Sequence, residues 1–380
     1  MKLEPLPSET VTDAGVLRAV DRAIGELRRG DPVLLHEIGH AAALVLAAEH
    51  ATEDGLARLP RPSRAASLLL LTARRAVALG IACPADAGSG VVARGLAGVP
   101  ARAIVELADP TGAGEAGVAG DLPPGRAPGA LAAAAVDLVR LARLLPAAVL
   151  APLDLAGQAP APWAAARDIL AVSVADIAEY RFAGARALAR VAEARLPLAG
   201  AENTRVVAFR PGDGGKAHLA LVIGAPRAED AVLVRLHSEC FTGDLLGSLR
   251  CDCGDQLRGA IEAIAEAGAG VLLYLSQEGR GIGLVNKLRA YRLQDRGADT
   301  AEANEQLGFD ADERIYVPAA GMLRRLGFGR VRLLTNNPHK VAALARCGIA
   351  VEERVPHAFP SNGHNAFYLA TKAARFGHRY

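Results

Sequence analysis

Residues 234–257 read VRLHSECFTGDLLGSLRCDCGDQL and include three of the five cysteines of the chain, Cys240, Cys251 and Cys253. Three thiolates can bind one metal ion and leave its fourth position open. Structural zinc sites are usually closed by four protein ligands, whereas catalytic sites keep one position for water or substrate. The run therefore predicts a catalytic zinc site. A redox pair, or cysteines buried together by chance, is the alternative interpretation.

The residues around the cysteines predict a strand followed by a helix. Residues 231–239 alternate in the manner of a strand, which places Arg235, His237 and Glu239 on one face. Residues 255–268 repeat apolar side chains at helical spacing. We expect a turn after Cys240 and an extended segment that carries the other two cysteines. The predicted strand thus leads polar side chains directly to the first cysteine.

The segment after this helix has the features of an anion-binding loop. Residues 276–283 read SQEGRGIG, follow an apolar strand at 271–275 and precede a predicted helix at 284–296. Glycines at such a position let backbone amides approach an anion, and Arg280 adds positive charge. A glycine loop alone is a weak signal, so the prediction needs support from elsewhere.

A second strand–loop–helix segment gives that support. Residues 331–341 read VRLLTNNPHKV, in which Thr335 and Asn336 suit helix-capping positions and Pro338 suits the first helical turn. Lys340 could then reach an anion. Capping together with a solvated lysine explains this segment equally well when it is taken alone.

The overall composition is that of a globular protein. Apolar residues make up 51% and charged residues 22% of the chain, and the net charge is +2. These values exclude a disordered chain and give no general attraction to nucleic acids or membranes. We find no signal-peptide pattern and no apolar stretch long enough to span a bilayer. Clustered cysteines fit a reducing compartment, so we expect a cytoplasmic protein in which Cys83 and Cys347 are ordinary core residues.

The two halves of the chain differ in composition. The first half is rich in alanine, leucine, valine, glycine and proline; residues 129–144 predict a packed helix, and residues 147–150 predict a buried strand. The second half carries the dense polar motifs, and the change lies at residues 187–203. We predict two domains of mixed α/β (α+β) class, residues 1–190 and residues 191–380.

The polar motifs together resemble the GTP cyclohydrolase II family, which begins riboflavin biosynthesis. The resemblance covers residues 190–375 in unbroken order. The matching runs are RLHSECFTGD (235–244), RCDCG (250–254), QEGRGIG (277–283), TAEANEQLGF (300–309), DER (312–314) and LLTNNP (333–338).

The resemblance implies a role for each matching position. Zinc would be bound by Cys240, Cys251 and Cys253. Arg314 would be the nucleophile on the α-phosphate, with Asp312 as its acid/base partner. Tyr291 would assist ring opening, although its spacing from apolar neighbours by itself predicts a core tyrosine, and residues 312–314 by themselves resemble a surface charge cluster. The implied GTP contacts are Arg235, Leu236, His237, Ser238, Glu239, Gln256, Glu278, Gly279, Arg280, Thr300, Thr335 and Lys340.

The implied reaction converts GTP to 2,5-diamino-6-(5-phosphoribosylamino)pyrimidinone, formate and pyrophosphate. Zinc would supply a nucleophile from water for carbon 8 of the guanine ring, and Mg²⁺ is expected with the triphosphate. Arginine stays protonated and is a poor nucleophile, so Arg314 could instead stabilise phosphate charge. Other possibilities are a paralogue that stops at the formamide or acts on a related nucleotide, and a non-catalytic nucleotide-binding regulator. The expected partners are GTP and a second copy of the chain, with no nucleic acid and no membrane.

The first half contains a pattern typical of zinc proteases. Residues 36–40 read HEIGH, and Glu49 could be a third ligand. On a helix, His36 and His40 would share a face. No other protease feature follows, so we expect this pair to bind no metal.

Residues 15–185 resemble a diverged 3,4-dihydroxy-2-butanone 4-phosphate synthase domain. The acidic metal-binding loop of that family is shortened here to residues 35–40, its Gly-His-Thr-Glu stretch becomes alanine and leucine at residues 130–133, and a catalytic glutamate is replaced by Pro152. We therefore expect a non-catalytic structural or dimerisation domain. The segments that carry this resemblance are AVDRAIGELRRGDPV (19–33), LAAEHAT (46–52), AAVDL (134–138) and VSVADIAEYR (172–181).

Overall fold

A computed structural model of the chain describes residues 14–37, 41–60, 66–83, 90–112, 122–126 and 129–379. These residues form two compact units. The N-terminal unit comprises the described residues of 12–181 and 285–313, and the C-terminal unit comprises those of 182–284 and 314–380. Each unit is a mixed α/β structure, as predicted. The domains at residues 1–190 and 191–380 stay a prediction.

The first part of the chain alternates between helices and short strands. Its elements are α1 (Ala14–Arg29), β1 (Val33–His36), β2 (Ala42–Ala47), a 3₁₀ turn (Ala48–His50), α2 (Glu53–Ala57), β3 (Leu68–Thr72), α3 (Ala73–Ala78), β4 (Val91–Gly95), α4 (Ala101–Ala108), α5 (Gly129–Leu141), β5 (Ala147–Leu153), α6 (Pro160–Ala165), β6 (Leu170–Ser173) and α7 (Val174–Arg186).

The second part contains longer strands. Its elements are β7 (Ala189–Arg195), β8 (Thr204–Arg210), β9 (His218–Ile223), β10 (Val232–Ser238), a π-helical turn (Phe241–Leu245), α8 (Cys253–Glu266), β11 (Gly270–Leu275), a 3₁₀ turn (Glu278–Gly281), α9 (Leu284–Gln294), α10 (Thr300–Gln306), α11 (Val317–Arg325), β12 (Arg330–Leu334), α12 (Pro338–Arg346), β13 (Ala350–Val355) and α13 (Ala366–Phe376).

The N-terminal unit is built on a six-stranded sheet in the order β4-β3-β5-β2-β1-β6, in which only β1 and β6 run parallel. Strands β2 and β3 are buried along their whole length, which explains their continuous apolar runs. The predicted helix and buried strand of this half are confirmed as α5 and β5. Cys83 is only half-buried, so its interpretation as a core residue is wrong.

His36 is the last residue of strand β1 and does not lie on a helix. The amide of Glu37 donates to the carbonyl of Ala41, which continues the hairpin between β1 and β2. Glu49 accepts from the amide of Leu145 at 2.5 Å. The helix that a zinc protease motif needs is therefore missing at His36, while His40 lies outside the described residues.

The C-terminal unit is built on a seven-stranded sheet in the order β13-β12-β10-β11-β9-β8-β7. Strands β13, β12, β10 and β11 run parallel, and the remaining pairs are antiparallel. Apolar residues of β10 alternate between two cores: Leu233 packs in the core that includes α8, and Val234 packs in the core that includes α11 and α12. Cys347 lies in the second core, as predicted.

The parallel strands decide where the site lies. In open α/β sheets, ligands bind at the carboxyl ends of the strands. Cys240 follows β10, the loop of residues 276–283 follows β11, and Thr335 follows β12. The three polar motifs therefore meet at one edge of the sheet. Within the described residues, no helix combines the length and apolar character needed to cross a membrane.

Replacement of Gly224 tests the close packing that ends β9. We expect Gly224→Ala to lower the free energy of unfolding by more than Gly214→Ala. Both glycines have a positive φ (65° and 73°), which costs an alanine about 1–2 kcal/mol. A Cβ at Gly224 would also lie 2.1 Å from the carbonyl oxygen of Gly268, whereas a Cβ at Gly214 meets nothing within 4 Å. Urea unfolding measures both, and equal losses would contradict this packing.

Candidate metal centre and substrate site

The three clustered cysteines come together in the C-terminal unit. Their sulfur atoms all lie within 4.8 Å of one another, and Cys240 Sγ is 3.8 Å from Cys251 Sγ. Zinc–sulfur bonds of about 2.3 Å at tetrahedral angles place two sulfurs about 3.8 Å apart. Cys253 begins α8 and does not lie in an extended segment, because the helix starts two residues earlier than predicted. The cluster has the size of a zinc site.

Gly243 makes room for the cluster. A Cβ atom on this residue would lie 2.7 Å from Cys251 Sγ and 3.1 Å from Cys240 Sγ, inside the van der Waals distance of carbon and sulfur. Its amide donates to Cys240 Sγ at 3.3 Å. The π-helical turn that replaces the predicted turn is thus shaped around the sulfur atoms.

Two of the three thiols hold their protons more tightly than usual when no cation is present. The pKa of Cys251 is raised to about 11, first by its hydrogen bond with Cys240 and also by burial. Hydrogen bonds with Cys240 and Cys251, together with burial, raise the pKa of Cys253 as well. A divalent cation favours the thiolate forms and reverses this effect. Three sulfur donors are a ligand set that suits zinc.

Asp244 connects the cluster to β10 and β11. Its carboxylate accepts hydrogen bonds from His237 Nε2 at 3.0 Å, from the Tyr274 hydroxyl at 2.9 Å and from the amide of Cys240 at 2.9 Å. The rings of His237 and Tyr274 stack with their centroids 5.6 Å apart. Burial lowers the pKa of His237, so the ring is neutral at pH 7 and Nδ1 is its acceptor.

Arg235 is enclosed beside the start of α8. Its guanidinium donates to the carbonyl of Leu334 at 2.9 Å and to the side chain of Gln256, whose amide group bonds to Asp252. Burial lowers the pKa of Arg235 to about 10, which leaves it charged at neutral pH. Burial alone would raise the pKa of Asp252, but the ammonium of Lys372 at 2.7 Å holds it below the ordinary value.

Several buried polar atoms at and near the end of β10 have no hydrogen-bond partner among the described residues. Among the described residues, no hydrogen bond reaches Arg235 Nε, His237 Nδ1, Ser238 Oγ or Glu239 Oε2. Buried polar atoms are nearly always paired with protein, water or ligand. Four such atoms within five consecutive residues leave hydrogen-bonding capacity here for water or a polar ligand.

The glycine loop follows β11, as predicted. Arg280 has a φ of 59°, a conformation that non-glycine residues seldom adopt. Its guanidinium lies 4.2 Å from the ring centroid of Phe376. Glu278 is buried, and its carboxylate accepts from the amide of Phe241 at 2.6 Å. Glu278 thus also holds the turn that surrounds the cysteines.

The capping of α12 differs from the prediction. Asn337 is the N-cap, and its side chain accepts from the amide of His339 at 2.9 Å. Thr335 Oγ1 instead accepts from the amide of Asn337, while the side chain of Asn336 bonds to the backbone of His357. The assignment of Thr335 and Asn336 as caps was wrong because both side chains have other backbone partners.

Lys340 is buried within this segment. Only 7% of its surface is exposed, and Nζ donates to the carbonyl of Leu236 at 2.8 Å. The interpretation of a solvated lysine is therefore wrong. The side chain of Leu236 lies in the core, so its contribution at the sheet edge comes from its backbone. The ammonium is thereby held next to the end of β10.

The remaining candidates divide between the two units. Tyr291 on α9, Thr300 at the start of α10 and Asp312 belong to the N-terminal unit, and Arg314 belongs to the C-terminal unit. Tyr291 is half-buried, and Leu288 on its predicted apolar face is 51% exposed, so the interpretation as a core tyrosine is wrong. Arg314 is half-buried, with its guanidinium 5.9 Å from the ring of Tyr316.

Sequence reasoning missed four residues of this site. Asp244 and Asp252 lie within the opening run, and a carboxylate close to a metal-binding cysteine could have identified them. Tyr274 pairs with His237 in the register of β10 and β11, which alternation along both strands could have suggested. Lys372 reaches Asp252 across 120 residues, and the sequence gives no signal for this contact.

The pH dependence of the free energy of unfolding tests the burial of His357 near Arg235. Burial first, and the charge of Arg235 second, lower the pKa of His357 from 6.5 to about 4. The unfolded chain therefore binds the proton first, and we expect the free energy of unfolding to fall as the pH drops from about 6.5 towards 4. Replacing His357 with Gln, which can still donate to the carbonyl of Gln256, should flatten this slope in urea titrations. An unchanged slope would show that His357 is accessible to protons in the folded state.

Comparison with known proteins identifies the family. Residues 189–356 match the family model of GTP cyclohydrolase II. A GTP cyclohydrolase-2 from Pseudomonas aeruginosa is 58% identical over 188 residues, half of this chain and 91% of the relative. A further match is a solved two-domain 3,4-dihydroxy-2-butanone 4-phosphate synthase from A. baumannii. The alignment covers 90% of this chain and 99% of the solved chain, with 20% identity and a TM-score of 0.35. A TM-score this low does not support a shared fold, so the resemblance of the first half to the synthase family rests on sequence alone.

A relative of similar length extends the match beyond the C-terminal half. A protein from Azospirillum brasilense named GTP cyclohydrolase-2 is 56% identical over 383 residues, which cover 98% of this chain and 97% of that protein. The chain belongs to the GTP cyclohydrolase II family of hydrolases.

Proposed function

We propose that this protein is a zinc-dependent GTP cyclohydrolase II of riboflavin biosynthesis. It converts GTP to 2,5-diamino-6-(5-phosphoribosylamino)pyrimidin-4(3H)-one, formate and pyrophosphate. The observation that carries the proposal is the set of three cysteine sulfurs within 4.8 Å of one another. Within the described residues, this is the one group of three or more potential metal ligands at such distances.

Cys240, Cys251 and Cys253 hold the metal in this proposal. A zinc ion with three protein ligands lowers the pKa of water and so supplies a nucleophile at neutral pH. Asp244 sets the tautomer of His237 and thereby leaves Nδ1 as a buried hydrogen-bond acceptor. An acceptor at this place suits an N–H group of a guanine ring. The Asp244 carboxylate also fixes the backbone of Cys240.

The sheet edge supplies the contacts for the rest of the nucleotide. Ser238 and Glu239 present buried oxygens without a described protein partner, which suits the amino and ring N–H groups of guanine. Arg280 and Lys340 follow β11 and β12 and give positive charge for the triphosphate. Mg²⁺ accompanies GTP, as with most nucleoside triphosphates.

Tyr291, Asp312 and Arg314 act on the substrate in this proposal. The Tyr291 hydroxyl donates a proton to the opening ring. Arg314 contacts the α-phosphate with Asp312 as its partner, and stabilisation of charge as pyrophosphate leaves needs no deprotonated guanidinium. The protein works in the cytoplasm as a homodimer, and residues 1–190 carry no synthase activity.

Product analysis tests the proposal directly. The zinc-loaded protein, incubated with GTP and Mg²⁺, should release one formate and one pyrophosphate for each GTP consumed. Pyrophosphate without formate would instead support a paralogue that stops at the formamide. A protein that binds GTP and releases neither product would be a nucleotide-binding regulator.

Removal of one sulfur ligand should abolish both metal binding and turnover. We expect Cys251→Ser to lower the zinc content from about one ion per chain to a small fraction and to stop formate release, because a hydroxyl is a poor zinc ligand. Cys83→Ser is the control, since Cys83 lies outside the cluster. Plasma emission spectroscopy and a formate assay measure the two effects. Full zinc content in Cys251→Ser would exclude this cysteine as a ligand.

The Asp244 carboxylate offers a second test. We expect Asp244→Asn to reduce formate release by about 10–100-fold, which is typical when a group that orients metal-site residues is lost. The exposed pair of Asp255 with Arg258 provides the control Asp255→Asn in the same unit. Steady-state kinetics at matched zinc content compares them. Equal rates in the two variants would remove Asp244 from the proposed site.

A further inference from the structure

The segment of residues 285–313 folds with the N-terminal unit, although it lies inside the range that matches the GTP cyclohydrolase II family. It carries α9 and α10 and, with them, Tyr291, Thr300 and Asp312. We infer that residues of the N-terminal half hold this segment in place and thereby position its side chains for the reaction. This inference rests on the proposed function, and it gives the first half of the chain a role in turnover.

Arg289 anchors α9. Its Nε donates to Asp109 Oδ2 at 3.0 Å, and its Nη1 lies 3.3 Å from Glu49 Oε2. Nη1 also donates to Asn286 Oδ1 at 2.7 Å, and the fully buried Asn286 donates to the carbonyl of Arg143 at 3.0 Å. Arg289 precedes Tyr291 by two residues. The rotation of α9, and with it the direction of Tyr291, is therefore fixed by two carboxylates and a carbonyl of the first half.

The carboxylates that bind Arg289 are themselves held. Glu49 accepts from the amide of Leu145 at 2.5 Å, and Asp109 Oδ1 accepts from the amide and the hydroxyl of Thr111 at 2.8 and 2.7 Å. The side chains of Glu49 and Asp109 are 9% and 19% exposed, and that of Arg289 is 20% exposed. Partly buried, charge-assisted hydrogen bonds with held partners restrain position more strongly than surface ion pairs do.

A second set of contacts anchors the end of α10. The Thr72 hydroxyl at the end of β3 donates to the carbonyl of Gly308 at 2.8 Å. The buried guanidinium of Arg75 donates to the carbonyls of Leu107 and Gln306 at 2.9 and 3.1 Å. Arg74 pairs with Glu305 and Asp310 at 2.6 and 2.7 Å. The junction of β3 and α3 therefore holds the segment on the C-terminal side of Thr300, and the contacts of Arg289 hold it on the N-terminal side.

The short length of these helices makes them depend on packing contacts. Helices α9 and α10 contain 11 and 7 residues, and isolated helices of that length are marginal in water. The Pseudomonas relative aligns with only half of this chain, so the anchors provided by residues 49–143 belong to this architecture and not to the family as a whole. The first half thus acts as a scaffold for α9 and α10.

The test uses the full-length, zinc-loaded protein and two charge-removing changes on opposite sides of one contact. We expect Arg289→Met and Asp109→Asn each to lower kcat for formate release by tenfold or more, and up to about 10²-fold, because small misplacements of reacting groups cost that much. Zinc content should stay at the wild-type level. The double variant should be no slower than the slower single variant, since both changes break one contact.

Arg289→Lys keeps the charge and should recover part of kcat, a rescue that a loss of stability alone does not predict. Arg102→Met is the matched control, because Arg102 forms an exposed pair with Glu106 in the same unit. Asp109→Asn decides the question if Arg289→Met fails to fold.

The outcomes separate this inference from the proposed function. Folded variants with wild-type kcat, beside an active wild type, would overturn the scaffold inference alone. A wild-type protein that releases no formate from GTP would overturn the proposed function, and the inference with it.

Discussion

Three thiol groups within 4.8 Å of one another, two of them on buried residues, impose the main constraint on the C-terminal unit. The pKa values of Cys251 and Cys253 are raised by hydrogen bonds between the thiols and by burial, so a cation is needed to favour their thiolate forms. The surrounding structure serves this requirement. Gly243 leaves space for the sulfurs, and Asp244 and Glu278 hold the backbone of Cys240 and Phe241.

The parallel part of the sheet places the other candidates around this cluster. The carboxyl ends of β10, β11 and β12 lie side by side, so motifs separated by about a hundred residues meet at one edge. Among the described residues, buried donors and acceptors there are only partly paired, which leaves hydrogen bonds for water or a ligand to complete. The same edge carries the buried charges of Arg235 and Lys340.

The sequence predicted the elements of the site better than its contacts. Alternation along residues 231–239 correctly placed Arg235 and His237 on one face, because period two follows from strand geometry alone. The local pattern predicted a core position for Tyr291 and a solvated position for Lys340, and both predictions were wrong. The exposure of a helical residue depends on which surface packs against the helix. The bond between Lys372 and Asp252, and the packing of residues 285–313 with the first half, depend on long-range folding that no local pattern reports.

In the proposed site three cysteines bind zinc, and the fourth coordination position is left for an oxygen or nitrogen atom. X-ray absorption at the zinc K-edge of the purified protein measures this coordination. We expect three sulfur atoms at about 2.3 Å and one oxygen or nitrogen atom at about 2.0 Å. Four sulfur ligands, or a first shell of oxygen and nitrogen atoms alone, would contradict it.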